Sequence, residues 1–420
     1  MRAQHVPTAQ GFVVKRTLDQ MALRVGLAST AVALVCATSV GARPTAAPAL
    51  STRLTHALAS KYLPLSHTGA IAVDLESGSV VYAHLSTTPF VPASNEKLPV
   101  AWAALVRLGP AYRFHTELYG IGTREGATWQ GDLVLKGFGD PTLTTADLDD
   151  LARQVARAGI HEVSGRVRGD ESYYDRKRDA PGWKHGFVPI ESPPLSALIV
   201  DRALGWPALS PPLLAAKALT AALTKAGVQV EGRPGLGIAP AAAVPLAKDR
   251  SQTLSNIVRS MNHESDNFTA EMLLKQIGAV SGGAGSTAAG ARAVLAALAE
   301  TGVPTAGLVI ADGSGLSSLD RLTPASIVGV LHAAWMSQTF RRPFVRSLAV
   351  SSVSGTMRHR LPQLKGLIRA KTGTTDIATA LSGLIGNRYA FAVIENGSPI
   401  AYWAARIAQD RFVTLLANAG

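Results

Sequence analysis

Apolar residues along the chain follow two spacings, and the shorter spacing predicts strands. Two short apolar runs flank Glu76-Ser77-Gly78, a turn sequence that predicts a β-hairpin. A longer stretch alternates apolar and polar positions, as half-buried strands do. Three runs near the C-terminus are joined by short turns and predict an antiparallel sheet. The predicted strand regions are 70–74, 80–84, 114–135, 163–174, 368–373, 378–384 and 389–395.

Apolar residues at helical spacing predict helices between these strand regions. The last helix is amphipathic and could lie on a membrane, but its charges are few and mixed, so we expect it to pack on the sheet. Pro99 lies about one turn inside an early helix and should distort its first turn without breaking it. Helices are predicted over 98–108, 145–158, 213–225, 286–302 and 400–416, with others beginning at Leu254 and Thr323.

The N-terminal segment has the pattern of an export signal. Arg24 precedes a mostly apolar run over 25–37, and the small residues Val40-Gly41-Ala42 follow it. The run is too short to span a bilayer comfortably, so we interpret residues 1–42 as a cleaved signal peptide. This predicts an exported protein of the periplasm or cell envelope. Met1 and Met21 both remain candidates for the start.

Composition and charge narrow the class of protein. The chain has 420 residues, 47% hydrophobic and 17% charged, which excludes a disordered protein and allows two or three domains. Its only cysteine, Cys36, lies in the predicted signal, so the mature chain would hold no disulfide. A formal net charge of +12 favours loose association with an anionic cell wall or membrane surface. The basic residues are scattered without aromatic clustering, which argues against nucleic acid as a partner.

The first candidate for chemistry is Ser94-x-x-Lys97, at the start of an apolar run. A spacing of three residues puts both side chains on one face of a helix. An amine whose pKa is lowered by burial can take the proton of a serine hydroxyl, so the pair could form an acyl-enzyme. The alternative is a serine that caps a helix followed by a solvated lysine.

Ser265-Asp266-Asn267 is the second candidate. A hydroxyl and a carboxamide at this spacing could relay a proton and hold a substrate amide. The alternative is a helix N-cap, because all three residue types are good caps. Ser260-Met261-Asn262 is a competing Ser-x-Asn on a different helix face.

Lys371-Thr372-Gly373-Thr374, at the start of a predicted strand, is the third candidate. A strand edge offers backbone hydrogen bonds to an extended peptide. Lysine adds a charge for a carboxylate, and glycine permits close approach to the backbone. The alternative is an ordinary turn at a strand end.

Together and in this order, the three motifs are the signature of serine β-lactamases and penicillin-binding proteins. Ser94 and Ser265 are 171 residues apart, and this long interval indicates an insertion. The chain resembles the D-alanyl-D-alanine carboxypeptidase/endopeptidase family, the class C penicillin-binding proteins of peptidase family S13. The segments that carry the resemblance are Pro92-Ala93-Ser94-Asn95-x-Lys97, Gly139-Asp140-Pro141-Thr142-Leu143, Ala180-Pro181-Gly182-Trp183, Ser265-Asp266-Asn267-Phe268-x-Ala270-Glu271, Asp312-Gly313-Ser314-Gly315-Leu316-Ser317 and Lys371-Thr372-Gly373-Thr374.

The resemblance implies an α+β fold. Its catalytic domain would be transpeptidase-like, with an antiparallel sheet sandwiched by helices, and a smaller domain would be inserted between the first two motifs. We predict one insert, because the chain passes almost directly from Trp206 to the helix at Leu213. The predicted boundaries are 43–117 plus 246–420 for the catalytic domain and 118–245 for the insert.

The resemblance also implies an activity and roles for the motif residues. The protein would be a penicillin-sensitive serine hydrolase that cleaves D-Ala-D-Ala in peptidoglycan stem peptides, with endopeptidase action on crosslinks as a second activity and β-lactams as covalent inhibitors. It would need no cofactor and no metal. The implied roles are nucleophile for Ser94, base for Lys97, proton relay and substrate positioning for Ser265 and Asn267, terminal-carboxylate binding for Lys371 and Thr372, close approach for Gly373, and an oxyanion hole from the N–H groups of Ser94 and Thr374.

The chain departs from the family pattern where a substrate side chain would be recognised. Larger members often have an arginine where this chain has Ser318, although Arg321 follows. Asp170 and Tyr174 lie where the insert would face that side chain, and Asp175 is a further candidate. A structural role is the alternative for each of the three.

Two other functions remain open at this point. A serine β-lactamase or esterase would need a base for rapid deacylation, and no clear Glu-x-x-x-Asn pair is present in the expected interval. A catalytically inactive peptidoglycan-binding protein would use the basic surface and the sheet edge, but the intact Ser94 and Lys97 argue against it. The sequence leaves the oligomeric state open.

Overall fold

The computed structural model describes residues 48–419, so the predicted signal peptide over 1–42 lies outside the described residues. The helices are α1 Pro48–Leu58, α2 Lys97–Leu108, α3 Thr145–Arg157, α4 Phe187–Ile190, α5 Pro211–Lys225, α6 Leu254–Glu264, α7 Asn267–Ser281, α8 Thr287–Glu300, α9 Pro324–Met336, α10 Arg341–Ser347 and α11 Tyr402–Ala417. The strands are β1 Thr68–Asp74, β2 Val80–His84, β3 His115–Glu125, β4 Thr128–Gly137, β5 Glu162–Val163, β6 Val167–Asp170, β7 Gln229–Val230, β8 Gly235–Leu236, β9 Val244–Arg250, β10 Ala349–Val350, β11 Ile368–Thr374, β12 Ala378–Ile385 and β13 Tyr389–Asn396.

The first sheet is antiparallel and lies between two layers of helices. Within 48–419 its strands run in the order β10-β11-β12-β13-β1-β2. Helices α1 and α11 pack on one face, and the larger core on the other face includes residues of α2 and of α6 to α10. Burial on both faces explains why the central strands are almost uniformly apolar. The predicted α+β fold with a sandwiched antiparallel sheet is confirmed.

The second sheet is built between α2 and α6 in the chain. In the described part of the protein its strands run β7-β5-β4-β3-β9, with β6 beside β4 and β8. Helices α3 and α5 cover it and share a separate apolar core with it. The strands extend from His115 to Arg250, three residues before and five after the predicted insert of 118–245. The division into domains at those boundaries stays a prediction.

Several local predictions can be compared with the structure. The predicted strand over 163–174 is instead two short strands, β5 and β6, because the chain turns between them. The first turn of the helix at Pro99 is distorted as expected, since Ala93–Glu96 is a 3₁₀ turn that leads into α2. The last helix, α11, packs on the sheet through buried apolar residues, which confirms that interpretation over a membrane surface. Across residues 48–419, none of the helices has the length and apolar character needed to cross a bilayer.

Candidate active site

Ser94 lies in the 3₁₀ turn that begins α2, and the residue before it is held in an uncommon conformation. Ala93 has a φ of 47°, in the left-handed region that costs a non-glycine residue about 1–2 kcal/mol. The loop around Gly315 packs so closely there that a Cβ on Gly315 would lie 1.9 Å from the Ala93 carbonyl oxygen. Packing thus holds the strained turn in place, as is common at functional sites.

Lys97 lies one turn beyond Ser94 and is fully buried. Its Nζ donates to Ser94 Oγ at 3.0 Å, to Asn267 Oδ1 at 2.8 Å and to the Ser314 carbonyl at 2.6 Å. Burial lowers the pKa of Lys97 to about 8, against the opposing effect of nearby carboxylates, of which Asp312 is the largest. An amine with this pKa, within hydrogen-bond reach of a hydroxyl, is suited to act as its base.

The Ser265-Asp266-Asn267 motif forms the junction between α6 and α7. Ser265 ends α6 with a φ of 58°, and Asp266 caps α7 by accepting from the Thr269 N–H at 3.4 Å. Asn267 is the first residue of α7, and its Nδ2 donates to the Glu191 carbonyl at 3.0 Å. Asp266 is thus the helix cap considered from sequence, and Asn267 contacts Lys97, while the proton relay and substrate positioning stay predictions.

The competing Ser260-x-Asn262 does not join this group. Asn262 is buried and donates to Ser347 Oγ at 2.9 Å, whereas Ser260 is exposed. The five-residue offset places them on other faces of α6, as the helical spacing predicts.

Lys371 on β11 completes the cluster. It is fully buried, and its Nζ donates to Ser265 Oγ at 2.8 Å and to the Thr372 carbonyl at 2.7 Å. Burial holds the pKa of Lys371 well below its ordinary value, and the charge of Lys97 lowers it further. The described residues place no carboxylate in an ion pair with it.

Strand β11 passes directly beside the nucleophile. A Cβ on Gly373 would lie 2.9 Å from the Ser94 backbone nitrogen, so a larger residue there would crowd the turn. β12 pairs with one edge of β11 along its length, whereas β10 pairs only with residues 369 and 370 on the other edge. Residues 371–374 therefore keep an edge without a partner strand, where an extended peptide could bind. Thr374, at the end of β11, is exposed.

Two buried carboxylates shape the loop that carries Ser314, and the sequence analysis did not assign them a role. Glu271 Oε1 accepts from the N–H groups of Gly313 at 2.9 Å and Ser314 at 2.8 Å. Asp312 accepts from the N–H groups of Gly315 and Ser317 and from the Trp183 indole, all at 2.7–2.8 Å. These bonds present the Ser314 carbonyl to Lys97. The sequence could have pointed to both acids, because Glu271 and Asp312 lie inside segments that carry the family resemblance.

Glu96, between Ser94 and Lys97 in sequence, is a further buried acid. It is fully buried, and neither of its carboxylate oxygens has a hydrogen-bond partner in the described part of the protein. Burial raises its pKa well above the ordinary value, and the charges of Asp312 and Glu271 raise it further. Despite these acids, no set of three or more His, Cys, Asp and Glu side chains within the described residues is arranged to hold a metal ion.

The structure does not bring the predicted side-chain-recognition residues to this cluster. Asp170 is buried and accepts from the N–H groups of Ser172 and Ala239. The Tyr174 hydroxyl donates to Gln276 Oε1 at 2.6 Å, and Asp175 forms an ion pair with Lys275. All three are occupied by contacts within the protein.

Comparison with known proteins identifies a family. The model of the D-Ala-D-Ala carboxypeptidase 3 (S13) family matches residues 50–212 and 203–419. A D-alanyl-D-alanine carboxypeptidase of Actinomadura sp. (strain R39) is 29% identical, over 91% of this chain and 89% of that protein. The carboxypeptidase DacB of Mycolicibacterium smegmatis is 31% identical, over 88% of this chain and 84% of that protein.

Solved structures share the fold. The crystal structure of penicillin binding protein 4 from Haemophilus influenzae matches with a TM-score of 0.77 and 21% identity, over 87% of this chain and 99% of that one. The peptidoglycan endopeptidase Bd3459 of Bdellovibrio bacteriovorus matches with a TM-score of 0.55 and 17% identity, over 84% of this chain and 92% of that one. At these identities the two matches support the architecture described above.

Proposed function

The chain belongs to the D-Ala-D-Ala carboxypeptidase 3 (S13) family, and on that premise we propose that it is a serine hydrolase that removes the terminal D-Ala from peptidoglycan stem peptides. The observation that carries the proposal is that each of two hydroxyls contacts a buried lysine. Lys97 Nζ lies 3.0 Å from Ser94 Oγ, and Lys371 Nζ lies 2.8 Å from Ser265 Oγ. In this proposal Lys97 is the base for Ser94, and Lys371 holds the Ser265 hydroxyl in position.

The proposed reaction has two halves. In the first, neutral Lys97 takes the Ser94 proton while Oγ attacks the carbonyl of the penultimate D-Ala. The C–N bond breaks as Ser265 passes a proton to the departing amine, and the proton on Lys97 re-forms the Ser265 hydroxyl. In the second half, neutral Lys97 takes a proton from water as the water oxygen attacks the ester, the carbonyl–Oγ bond breaks, and Lys97 passes that proton to Ser94 Oγ. Each half conserves protons within the cluster.

Negative charge that develops on the carbonyl oxygen needs donors. We assign this role to the N–H groups of Ser94 and Thr374, because β11 lies against the Ser94 turn. Removing one such donor in other acyl-transfer enzymes costs about 2.7–4 kcal/mol. We assign binding of the terminal carboxylate to the Thr372 hydroxyl, which donates to Thr356 Oγ1 at 2.8 Å in the structure.

The proposed surroundings follow from the same premise. The substrate would be the cell-wall peptide, β-lactams would acylate Ser94, and crosslinked peptides with a D-Ala donor would enter by the same edge of β11. The proposed location is the periplasm or cell envelope, reached by export through the signal over residues 1–42. A basic chain would associate loosely with an anionic wall or membrane.

The test is covalent labelling with a fluorescent penicillin. The wild type should form one labelled band, and Ser94→Ala should form none while remaining folded by circular dichroism. Ser260→Ala, in the competing Ser-x-Asn, is the matched control and should label like the wild type. Release of D-Ala from a stem pentapeptide then separates a carboxypeptidase from a β-lactamase, which would instead turn over penicillin rapidly. A folded wild type that forms no band would overturn the mechanism and favour an inactive wall-binding protein.

A further inference from the structure

Recognition of a terminal carboxylate calls for a cation, and the lysine on β11 is a poor candidate. Lys371 is fully buried, and its Nζ already donates to Ser265 Oγ and to the Thr372 carbonyl. Burial and the charge of Lys97 favour its neutral form. Because two protein acceptors already use this amine, it has little hydrogen-bonding capacity left for a ligand carboxylate.

A cavity of about 170 Å³ lies beside the same strand. None of the residues that line it is acidic. They include two arginines, Arg360 and Arg406, and the hydroxyl-bearing residues Thr356, Thr372, Thr374, Thr379 and Tyr402. Gly373 lines it too and also adjoins the Ser94 nitrogen, so the cavity and the nucleophile share one stretch of β11.

The two arginines differ in how far their charges are already neutralised. Arg360 is buried and forms an ion pair with Asp410 at 2.6 Å, and it also donates to Gln409 Oε1 at 2.8 Å. Arg406 is half-buried and donates to the Tyr402 hydroxyl at 3.1 Å. Among residues 50–419, no acid forms an ion pair with Arg406. The cavity therefore has one uncompensated positive charge.

Covalent geometry limits where the carboxylate of a leaving D-amino acid can lie. The bonds from the attacked carbonyl carbon through the amide nitrogen and Cα to the carboxyl carbon total about 4.3 Å. The carboxylate must therefore occupy space that adjoins the reacting bond. The cavity past Gly373 is such a space, and its volume accommodates an alanine-sized residue with water.

We propose that Arg406, on α11, is the cation that binds the terminal carboxylate of the substrate. The hydroxyls of Thr372 and Thr374 orient the carboxylate from β11. Arg360, which is paired with Asp410, donates to Gln409, another residue that lines the cavity. This inference rests on the proposed function and adds to it a specificity residue contributed by the C-terminal helix. It predicts selectivity for peptides with a free carboxyl end.

The test compares two peptides that differ only in this charge. One is a stem peptide ending in D-Ala-D-Ala, and the other carries a C-terminal carboxamide. Arg406→Gln should lower kcat/KM about tenfold to hundredfold on the free acid, mainly through KM, because a charge-assisted hydrogen bond is lost. It should change the carboxamide reaction less than about threefold. Arg406→Lys should recover part of the loss, since the charge returns without the planar fork.

Arg411→Gln is the matched control. It removes the same charge from the same helix at an exposed position that does not line this cavity, and it should match the wild type on both peptides. Equal losses on both peptides, or no loss with Arg406→Gln, would overturn the assignment of Arg406. A wild type that cleaves neither peptide and does not react with penicillin would instead overturn the proposed function itself.

Discussion

The regions around the two buried lysines of the site differ in the charges that accompany burial. Lys97 on α2 is surrounded by acids, with Glu96, Glu271 and Asp312 all fully buried near it. Within residues 48–419, the hydrogen-bond partners of Lys371 on β11 are a hydroxyl and a carbonyl. Burial lowers the pKa of both, but the acids hold Lys97 at about 8, whereas Lys371 falls well below its ordinary value.

This difference in pKa fits different roles for Lys97 and Lys371. A base that starts an acylation needs a pKa near the working pH, so that it is neutral part of the time and still accepts a proton readily. A group that only positions a second hydroxyl needs hydrogen bonds and can remain neutral. Two lysines buried to the same extent can therefore serve as a titrating base and as a structural donor.

The largest expected effect comes from removing the titrating lysine. Lys97→Met keeps the volume of the side chain but leaves Ser94 without a base. General-base catalysis contributes about 10²–10⁴-fold, so the acylation rate by penicillin should fall by that factor. Stopped-flow or gel-based labelling at pH 8 measures it. A loss below about tenfold would mean that another group takes the Ser94 proton.

The second effect separates the two lysines by their pH dependence. In the proposed mechanism, acylation requires neutral Lys97, whose fraction grows as pH rises, so the wild-type rate should increase through a midpoint near pH 8. Lys371→Met should lower the rate about tenfold to hundredfold through the lost bond to Ser265, yet leave that midpoint unchanged. It should also affect free-acid and carboxamide peptides equally. A displaced midpoint in Lys371→Met would show that the two lysines titrate together.

The smallest effect concerns stability. Glu96 is buried, and its carboxylate has no hydrogen-bond partner among the described residues, so Glu96→Met should raise the free energy of unfolding by about 1–3 kcal/mol at neutral pH. Because folding raises the pKa of Glu96, the wild type loses stability as pH rises above about 4.5, the usual pKa of a glutamate. The advantage of Glu96→Met should therefore grow from pH 4 to pH 8. Urea unfolding at both values checks this, with Glu76→Met at an exposed turn as control. An advantage that is the same at both pH values would mean that Glu96 is charged in the folded protein.

Much of this protein was determined by local sequence. The three motifs named Ser94, Lys97, Ser265, Asn267 and Lys371. The structure joins Lys97 to Ser94 and Asn267 by hydrogen bonds and joins Lys371 to Ser265 by another. Strands β11, β12 and β13 could be predicted from sequence because a buried antiparallel sheet has long apolar runs between tight turns. Motifs of this kind can be recognised in a sequence because the chemistry needs particular residues at short spacings.

Tertiary structure alone decided the electrostatics of the site. Nothing in the order of residues shows that Glu271 and Asp312 meet behind Lys97, that Tyr174 is occupied by Gln276, or that a helix some 30 residues beyond β11 brings Arg406 to its edge. A pKa depends on burial and on charges that are distant in sequence, and both exist only once the helices and the sheet have packed. The sequence therefore specified the candidate reactive groups, and the fold specified the burial and the partners that set their pKa values.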